Sequence, residues 1–287
     1  MSKEYLSPKS DLIFKMIFGD EKNVDILTAF LKSVLNISID EYQELKIVDP
    51  HLKIYTPSDK FGVLDIKIIT KNGISIDIEI QIVNVPQMRE RIVFYTSKMI
   101  TEQISKGESY TNIKKVISIV ITDYTLIKEN SDYHNTYRLY DKTTGSEFTD
   151  VLEINTLELS KLPQNEDKSE LWNWLTFLKS KKEEEFKMIA QKSPELNKAV
   201  CVLAQLSQDE KTKLLAEEQE KAQRDYNASI KGAYDSGIEK GTITTLIKLV
   251  GKYGISVKSA MEDVGLDEKY KEEIINELQN RGIKYIE

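Results

Sequence analysis

The chain has 287 residues, 40% of them hydrophobic and 30% charged, which is typical of a globular protein with one sizeable core and an accessory region. A single cysteine, Cys201, excludes a disulfide framework and a cysteine-based zinc cluster, and two histidines exclude a histidine-rich metal site. The net charge of -7 argues against a broadly basic surface, so any polyanion would have to bind a local basic patch.

The sequence has no segment typical of export or of a membrane span. The N-terminal segment MSKEYLSPKSDLIF has no apolar stretch of the kind found in signal peptides after its first lysine, and no run of eighteen apolar residues occurs anywhere. Together with the single cysteine, this pattern predicts a protein of the reducing cytoplasm that does not contact membranes.

The first third of the chain changes from helical to strand-like patterns. Residues 8–35 carry apolar positions at helical spacing, interrupted at Gly19 and Asp20, which predicts two helices. Short strand-like pieces are predicted within 43–55, and the segment TPSDKFG, 56–62, is rich in turn residues.

Two strands joined by a tight turn are predicted next. VLDIKIIT and ISIDIEIQIV alternate β-branched with polar residues on either side of Lys71, Asn72 and Gly73, which is typical of an antiparallel hairpin. Pro86 is then predicted to lie in the first turn of a helix that stops at Gly107.

The middle of the chain predicts three further strands. VISIVIT, 116–122, is almost entirely apolar, as expected for a strand buried on both faces. TYRLYD and VLEINTLEL flank the turn residues 144–146 and predict two more strands.

Only helical patterns follow residue 163. We therefore expect a mixed α/β domain over 1–163 and an all-helical C-terminal region over 164–287. Glycines at 232, 237 and 241 would allow close helix approach, so this region is a candidate for dimerisation or partner binding.

Carboxylates in the predicted hairpin suggest a metal site. In a strand, residues i and i+2 share a face, so Glu79 points the same way as Gln81, and Asp65 shares a face of the preceding strand with Lys67. If the two faces are in register, two carboxylates and an amide oxygen converge, which is a ligand set for a hard divalent cation. The alternative to a metal site is a half-covered sheet whose acidic residues face solvent. Asp77 is expected to be either an exposed strand partner or a residue behind the metal ligands.

The helix after the hairpin offers a candidate phosphate-binding surface. Arg91, Tyr95 and Lys98 are spaced to form one stripe, and residues 81–120 hold six Lys or Arg against three Asp or Glu. The alternative is an ordinary solvated helix face.

Several motifs together resemble a known family. SPKSDLIFKMIFGD, DKFGVLDIKI, IDIEIQ, RIVFYTSKM and VLEINTLELSK resemble, in order, the PD-(D/E)xK nuclease family that includes recombination-promoting nucleases and proteins labelled transposases. The resemblance covers nearly all of residues 7–162 and implies a restriction-endonuclease-like mixed sheet flanked by helices.

The resemblance also implies roles for individual residues. Asp65 and Glu79 would bind Mg²⁺, or Mn²⁺ or Ca²⁺ in its place, with Gln81 at the position where the family often has lysine. Asp11 would be the acidic residue of the preceding helix, although it could equally be an N-terminal helix residue favoured by the helix dipole. Because Gln81 carries no positive charge, Lys67 is predicted to supply that charge to the transition state.

The implied activity is metal-dependent hydrolysis of DNA phosphodiester bonds, in recombination or in defence against foreign DNA. Arg91, Tyr95 and Lys98 would hold the DNA backbone, and a homodimer would supply two active sites for double-strand cutting. Two alternatives stay open: an interaction protein on a decayed nuclease scaffold, and a transposase that catalyses strand transfer.

Overall fold

The computed structural model describes residues 5–52 and 63–287, so the turn-rich segment 56–62 lies outside the described residues. The helices are α1 (Asp11–Phe18), α2 (Val24–Val34), α3 (Met88–Thr101), α4 (Glu170–Lys179), α5 (Glu183–Ala190), α6 (Pro194–Leu206), α7 (Glu210–Tyr253), α8 (Val257–Val264) and α9 (Lys271–Asn280). The strands are β1 (Lys46–Val48), β2 (Ile66–Ile69), β3 (Ser75–Gln81), β4 (Val116–Thr122), β5 (His134–Tyr140) and β6 (Glu147–Glu158).

The strands form one mixed sheet in the order β1-β2-β3-β4-β6-β5. The central strands β3, β4 and β6 are parallel, while the pairs β1–β2, β2–β3 and β5–β6 are antiparallel. Every residue of β4 is buried, as its apolar sequence predicts, because helices cover both faces at the centre of the sheet. The predicted mixed sheet flanked by helices and followed by a helical region is confirmed.

The two faces of the sheet differ in character. Ile76, Ile78 and Ile80 of β3 belong to a large apolar core that includes residues of α1, α2 and α4–α6. On the opposite face, α3 packs against β4 through a smaller cluster that includes Met88 and Ile92. The polar residues of β3 therefore lie on the face that α3 covers.

The hairpin between β2 and β3 forms as its turn residues predict, with Gly73 at φ +91°. Glu41, a buried residue before β1, holds this turn from outside the hairpin. Its carboxylate accepts hydrogen bonds from the Thr70 hydroxyl and from the backbone and side-chain amides of Asn72. The hydrogen bonds fix the position of the hairpin that carries the predicted site.

Helix α3 begins later and ends earlier than predicted. It starts at Met88, because Gln87 adopts a left-handed conformation with φ 58° that a helix cannot include, so Pro86 lies before the helix. The helix ends at Thr101, before the turn that contains Gly107.

Helix α1 ends tightly against the sheet. The Gly19 N–H donates to the Lys15 carbonyl at 2.8 Å, and a Cβ at Gly19 would lie only 2.7 Å from that oxygen. The side chains of Ile13, Phe14 and Ile17 are fully buried, so α1 is held against the core along one face.

The chain forms two compact units, Met1–Ala216 and Glu217–Glu287. Helices α4–α6 share the core of the first unit, and the second unit has its own core of residues from α7, α8 and α9. The predicted boundary after residue 163 marks the point where named strands end and only helices follow. That it is also a domain boundary stays a prediction. Among the described residues, no helix combines the length and apolarity that crossing a bilayer requires.

Candidate active site

The polar residues of β3 line the face beneath α3. Glu79 is only 4% exposed, and its Oε2 accepts a hydrogen bond of 3.1 Å from the Gln81 side-chain amide. Its Oε1 is buried and has no hydrogen-bond partner among residues 5–52 and 63–287. Period-two geometry therefore brings Glu79 and Gln81 together as predicted.

Asp65 is fixed just before β2 by the backbone of the neighbouring strand. Its Oδ2 accepts a hydrogen bond of 2.8 Å from the Ile80 N–H, and its Oδ1 lies 3.0 Å from the Lys15 Nζ. Continued to residue 65, the antiparallel β2–β3 register that pairs Ile66 with Ile78 places Asp65 opposite Glu79, and the charge of Asp65 also raises the pKa of Glu79. The two carboxylates predicted to share a metal ion thus lie at one site.

Burial and a neighbouring carboxylate make each group reluctant to ionise: Asp11 acts on Asp65, and Asp65 acts on Glu79. Burial raises the pKa of Asp65 to about 6, although the Ile80 hydrogen bond and Lys15 act in the opposite direction. Burial and the negative charge of Asp65 raise the pKa of Glu79 to about 8, although Arg91 opposes this. A positive charge placed between the two groups would favour their ionised forms.

Asp77 is buried, which excludes the first of its two predicted roles, an exposed strand partner, and leaves the second, a residue behind the proposed ligands. It is 1% exposed because α3 covers this face; Ser118 donates to its Oδ2 at 3.2 Å, and its Oδ1 has no partner. Burial and the charge of Glu79 raise its pKa well above the usual value. Asp77 lies two residues before Glu79 on the same strand face.

The donor set fits a hydrated divalent cation. Glu79 Oε1 is an orphaned buried oxygen beside Asp65, and Mg²⁺ in proteins is commonly held by one or two carboxylates and several waters. Within residues 5–52 and 63–287, no three or more His, Cys, Asp or Glu side chains are grouped as a metal cage. The chain would therefore supply two carboxylates, and water would fill the remaining positions.

Asp11 joins the site through a lysine that the sequence analysis missed. Lys15 lies one turn after Asp11 on α1, and its Nζ is 2.8 Å from Asp11 Oδ1 and 3.0 Å from Asp65 Oδ1. Burial alone would lower the pKa of Lys15, but the hydrogen bonds to Asp11 and Asp65 raise it overall. An Asp–Lys pair at this spacing usually lies on a solvated helix face, so the sequence alone gives little signal for Lys15.

Lys67 is directed to a different partner. It stands opposite Asp77 in the β2–β3 register, and its Nζ lies 3.3 Å from the Oε2 of Glu102, after the end of α3. The two side chains are 15% and 6% exposed, so this is a largely buried ion pair. The positive charge of Lys67 is therefore already matched by Glu102.

Helix α3 contributes Arg91 to the site. An Arg91 guanidinium nitrogen lies 3.8 Å from Glu79 Oε2, and the group stands over the Tyr95 ring at 5.2 Å from its centroid. The Arg91 Nε is buried without a partner. Lys98 is half-buried two turns after Arg91, so the predicted stripe exists, and Arg91 lies beside Glu79.

Comparison with known proteins gives one match. A family model described as PD-(D/E)XK nuclease family transposase matches residues 8–233, which includes the whole sheet and both hairpin carboxylates. A search of curated proteins found no match, and neither did a search of solved structures.

Proposed function

Since the chain belongs to the PD-(D/E)XK nuclease family transposases, we propose that it hydrolyses DNA phosphodiester bonds with a divalent metal ion held by Asp65 and Glu79. The observation that carries the proposal is the buried pair of carboxylates with raised pKa values, one of which has an unpartnered oxygen. Buried acids with such perturbed pKa values are typical of functional sites.

When bound, the divalent cation would polarise a water molecule and neutralise charge on the attacked phosphate. Mg²⁺ is the expected ion because the donors are hard oxygens, and Mn²⁺ or Ca²⁺ could use the same ligands. Asp65 would bind it from a position fixed by the Ile80 N–H, and Glu79 from a position fixed by the Gln81 amide.

Residues of the helices would hold the DNA. Arg91 is placed beside Glu79 and against Tyr95, where its guanidinium can donate to a phosphate oxygen next to the metal ligands. Lys98, two turns further along α3 than Arg91, would contact the DNA backbone nearby.

The reaction adds water across one P–O ester bond. The water oxygen bonds to phosphorus while the ester oxygen leaves, and the water proton passes to solvent. The leaving oxygen takes up a proton, so one new end is a phosphate monoester and the other a hydroxyl group. No oxidant or further reactant is consumed.

The test is cleavage of supercoiled plasmid with Mg²⁺ or Mn²⁺, and with excess chelator. We expect metal-dependent nicking or linearisation that falls at least about a hundredfold in Asp65→Asn and in Glu79→Gln. Asp235→Asn, at an exposed position on α7, is the matched control and should cleave like the wild type. Cleavage that persists in excess chelator contradicts the metal mechanism.

An interaction protein on a decayed scaffold is the second candidate, because neutral Gln81 stands at the lysine position and Lys15 already pairs with Asp65. Calorimetry with Mn²⁺ separates the two candidates, since a decayed site should bind no metal. The family description also names transposases, in which a DNA 3′-hydroxyl replaces water as nucleophile; joined products with donor DNA would indicate this strand transfer.

The proposed setting is the cytoplasm, where the enzyme would act in recombination or in defence against foreign DNA. A homodimer is proposed because cutting both strands requires two active sites. Light scattering of the purified protein tests this, and the mass of a single chain at all concentrations would contradict it.

A further inference from the structure

Strand β3 itself supplies no positive charge for the transition state, so any such charge has to come from neighbouring elements. Gln81, two residues after Glu79, is neutral, whereas the PD-(D/E)XK motif has a lysine at this position. Lys67 is paired with Glu102 in a largely buried ion pair. Arg91 lies beside Glu79, on the α3 side of the site.

Lys15 is positioned on the other side of Asp65. Its Nζ is held between Asp11 Oδ1 at 2.8 Å and Asp65 Oδ1 at 3.0 Å. The helix that carries it is fixed by fully buried Ile13, Phe14 and Ile17, so the ammonium group is not carried on a loose segment.

Lys15 is also accessible. Its side chain is 36% exposed, whereas that of Asp65 is 10% exposed, so a substrate approaching from solvent can reach the ammonium group. An ammonium group has three N–H donors, and the two carboxylates account for two of them. Within residues 5–52 and 63–287 the Lys15 Nζ has no other acceptor, so the third N–H is available to an incoming phosphate oxygen.

We propose that Lys15 supplies, from α1, the positive charge that β3 lacks, by donating a hydrogen bond to a non-bridging oxygen of the scissile phosphate. The inference rests on the proposed function and assigns a substrate-contacting residue within it. Lys15 keeps its proton throughout, so it stabilises charge on the phosphate and transfers nothing. Asp11 then acts as a positioning residue that holds Lys15 beside Asp65.

The experiment compares the wild type with Lys15→Gln, Lys15→Met, Lys15→Arg and Lys67→Gln. It measures the plasmid cleavage rate at saturating Mn²⁺, the Mn²⁺ affinity by calorimetry, and the thermal unfolding midpoint. Lys231→Gln, at an exposed position on α7, is the control for loss of a lysine. Lys15→Met keeps the aliphatic stem, so it serves if Lys15→Gln fails to fold.

We expect Lys15→Gln and Lys15→Met to lose at least about a hundredfold in cleavage rate, while Mn²⁺ affinity is unchanged or higher, because a competing cation has left Asp65. Lys15→Arg should retain a measurable part of the rate, and Lys67→Gln should lose less than Lys15→Gln. A purely structural ion pair would instead lower Mn²⁺ affinity or the unfolding midpoint, and saturating metal would restore cleavage.

A loss of less than about tenfold in folded Lys15→Gln or Lys15→Met at saturating Mn²⁺ overturns the inference and leaves the proposed function intact. A larger loss in Lys67→Gln than in Lys15→Gln also overturns it, in favour of Lys67. A wild type that neither binds Mn²⁺ nor cleaves DNA overturns the proposed function and this inference together.

Discussion

Individual carboxyl groups set the electrostatics of the candidate site. Asp65, Asp77 and Glu79 are all largely buried, and the pKa of each is raised by burial. An ionised carboxylate in such a position costs free energy unless a cation compensates it. Lys15 and Arg91 compensate part of this cost.

The first prediction concerns the metal-free protein and Glu79. Because the folded pKa of Glu79 is raised from 4.5 to about 8, the folded state holds this proton more tightly than the unfolded state. The free energy of unfolding is thus unaffected by Glu79 below about pH 4.5 and falls as pH rises towards 8. Since glutamine does not ionise, Glu79→Gln should stabilise the protein at pH 8 by on the order of several kcal/mol, and much less at pH 5.

Chemical denaturation in excess chelator at the two pH values measures this difference. A stability difference between wild type and Glu79→Gln that is the same at both pH values would contradict the prediction. Asp235→Asn again serves as the control, because its exposed position gives no reason for a pH-dependent difference.

Some residues of the candidate site could be predicted from the sequence and others could not. Strand alternation alone places Glu79 and Gln81 on one face, so both could be selected before any coordinates. The burial of Asp77 depends on α3 lying over the sheet, and the role of Lys15 depends on where α1 meets β2. Both are contacts between segments far apart in the chain, which local patterns do not encode.

At the scale of elements, the β2–β3 hairpin is the part that positions the proposed metal ligands. Its strands and turn are predictable from β-branched alternation and from Gly73. The hydrogen bonds that Glu41 accepts from Thr70 and Asn72 are not predictable, because they join the turn to a segment about thirty residues earlier. Burial would raise the pKa of Glu41, but hydrogen bonds from Thr70 and Asn72 lower it overall.

The second prediction concerns the hydrogen bonds that Glu41 accepts from the turn. Because the folded pKa of Glu41 is lowered, its contribution to stability is present above about pH 4.5 and is lost as pH falls further. Glu41→Gln should lower the free energy of unfolding at pH 7 by about 1–3 kcal/mol, since glutamine is a weaker and partly mismatched acceptor. The difference from wild type should shrink below pH 4.

Urea denaturation at pH 7 and below pH 4 measures the difference in free energy of unfolding between the wild type and Glu41→Gln. Glu44→Gln is the matched control. Glu44 lies three residues later and forms only an exposed ion pair with Lys46, which is worth little. Equal losses in the two variants would show that Glu41 acts only as a surface charge.

At the scale of the whole molecule, each of the two compact units has a main core of its own. The family match ends at residue 233, within α7, while the second compact unit begins at Glu217. Helical content after residue 163 is predictable from sequence. The membership of α4–α6 in the first core is not, because it depends on which apolar faces meet.

The third prediction is that the two cores unfold separately. Leu246 is fully buried in the second core, so Leu246→Ala should cost that unit about 2–5 kcal/mol. Both tryptophans, Trp172 and Trp174, lie in α4 of the first unit, so tryptophan fluorescence reports that unit alone.

Leu246→Ala should therefore shift part of the helical circular dichroism transition while the fluorescence midpoint stays unchanged. Leu27→Ala, at an equally buried position of the first core, is the control and should shift the fluorescence midpoint. A fluorescence midpoint that moves in Leu246→Ala would contradict independent unfolding.

The hydrogen bond from the Ile80 N–H to Asp65 has a consequence for how the site can evolve. At this point a side chain substitutes for the main-chain carbonyl that an antiparallel neighbour would offer, so its reach must match the spacing between strands. Glutamate is one methylene longer, and it could keep either that bond or the carboxylate position, but not both. Asp65→Glu should consequently abolish Mn²⁺ binding in calorimetry almost as fully as Asp65→Asn, although it preserves the negative charge. An Mn²⁺ affinity equal to that of the wild type would show that the site tolerates the longer side chain.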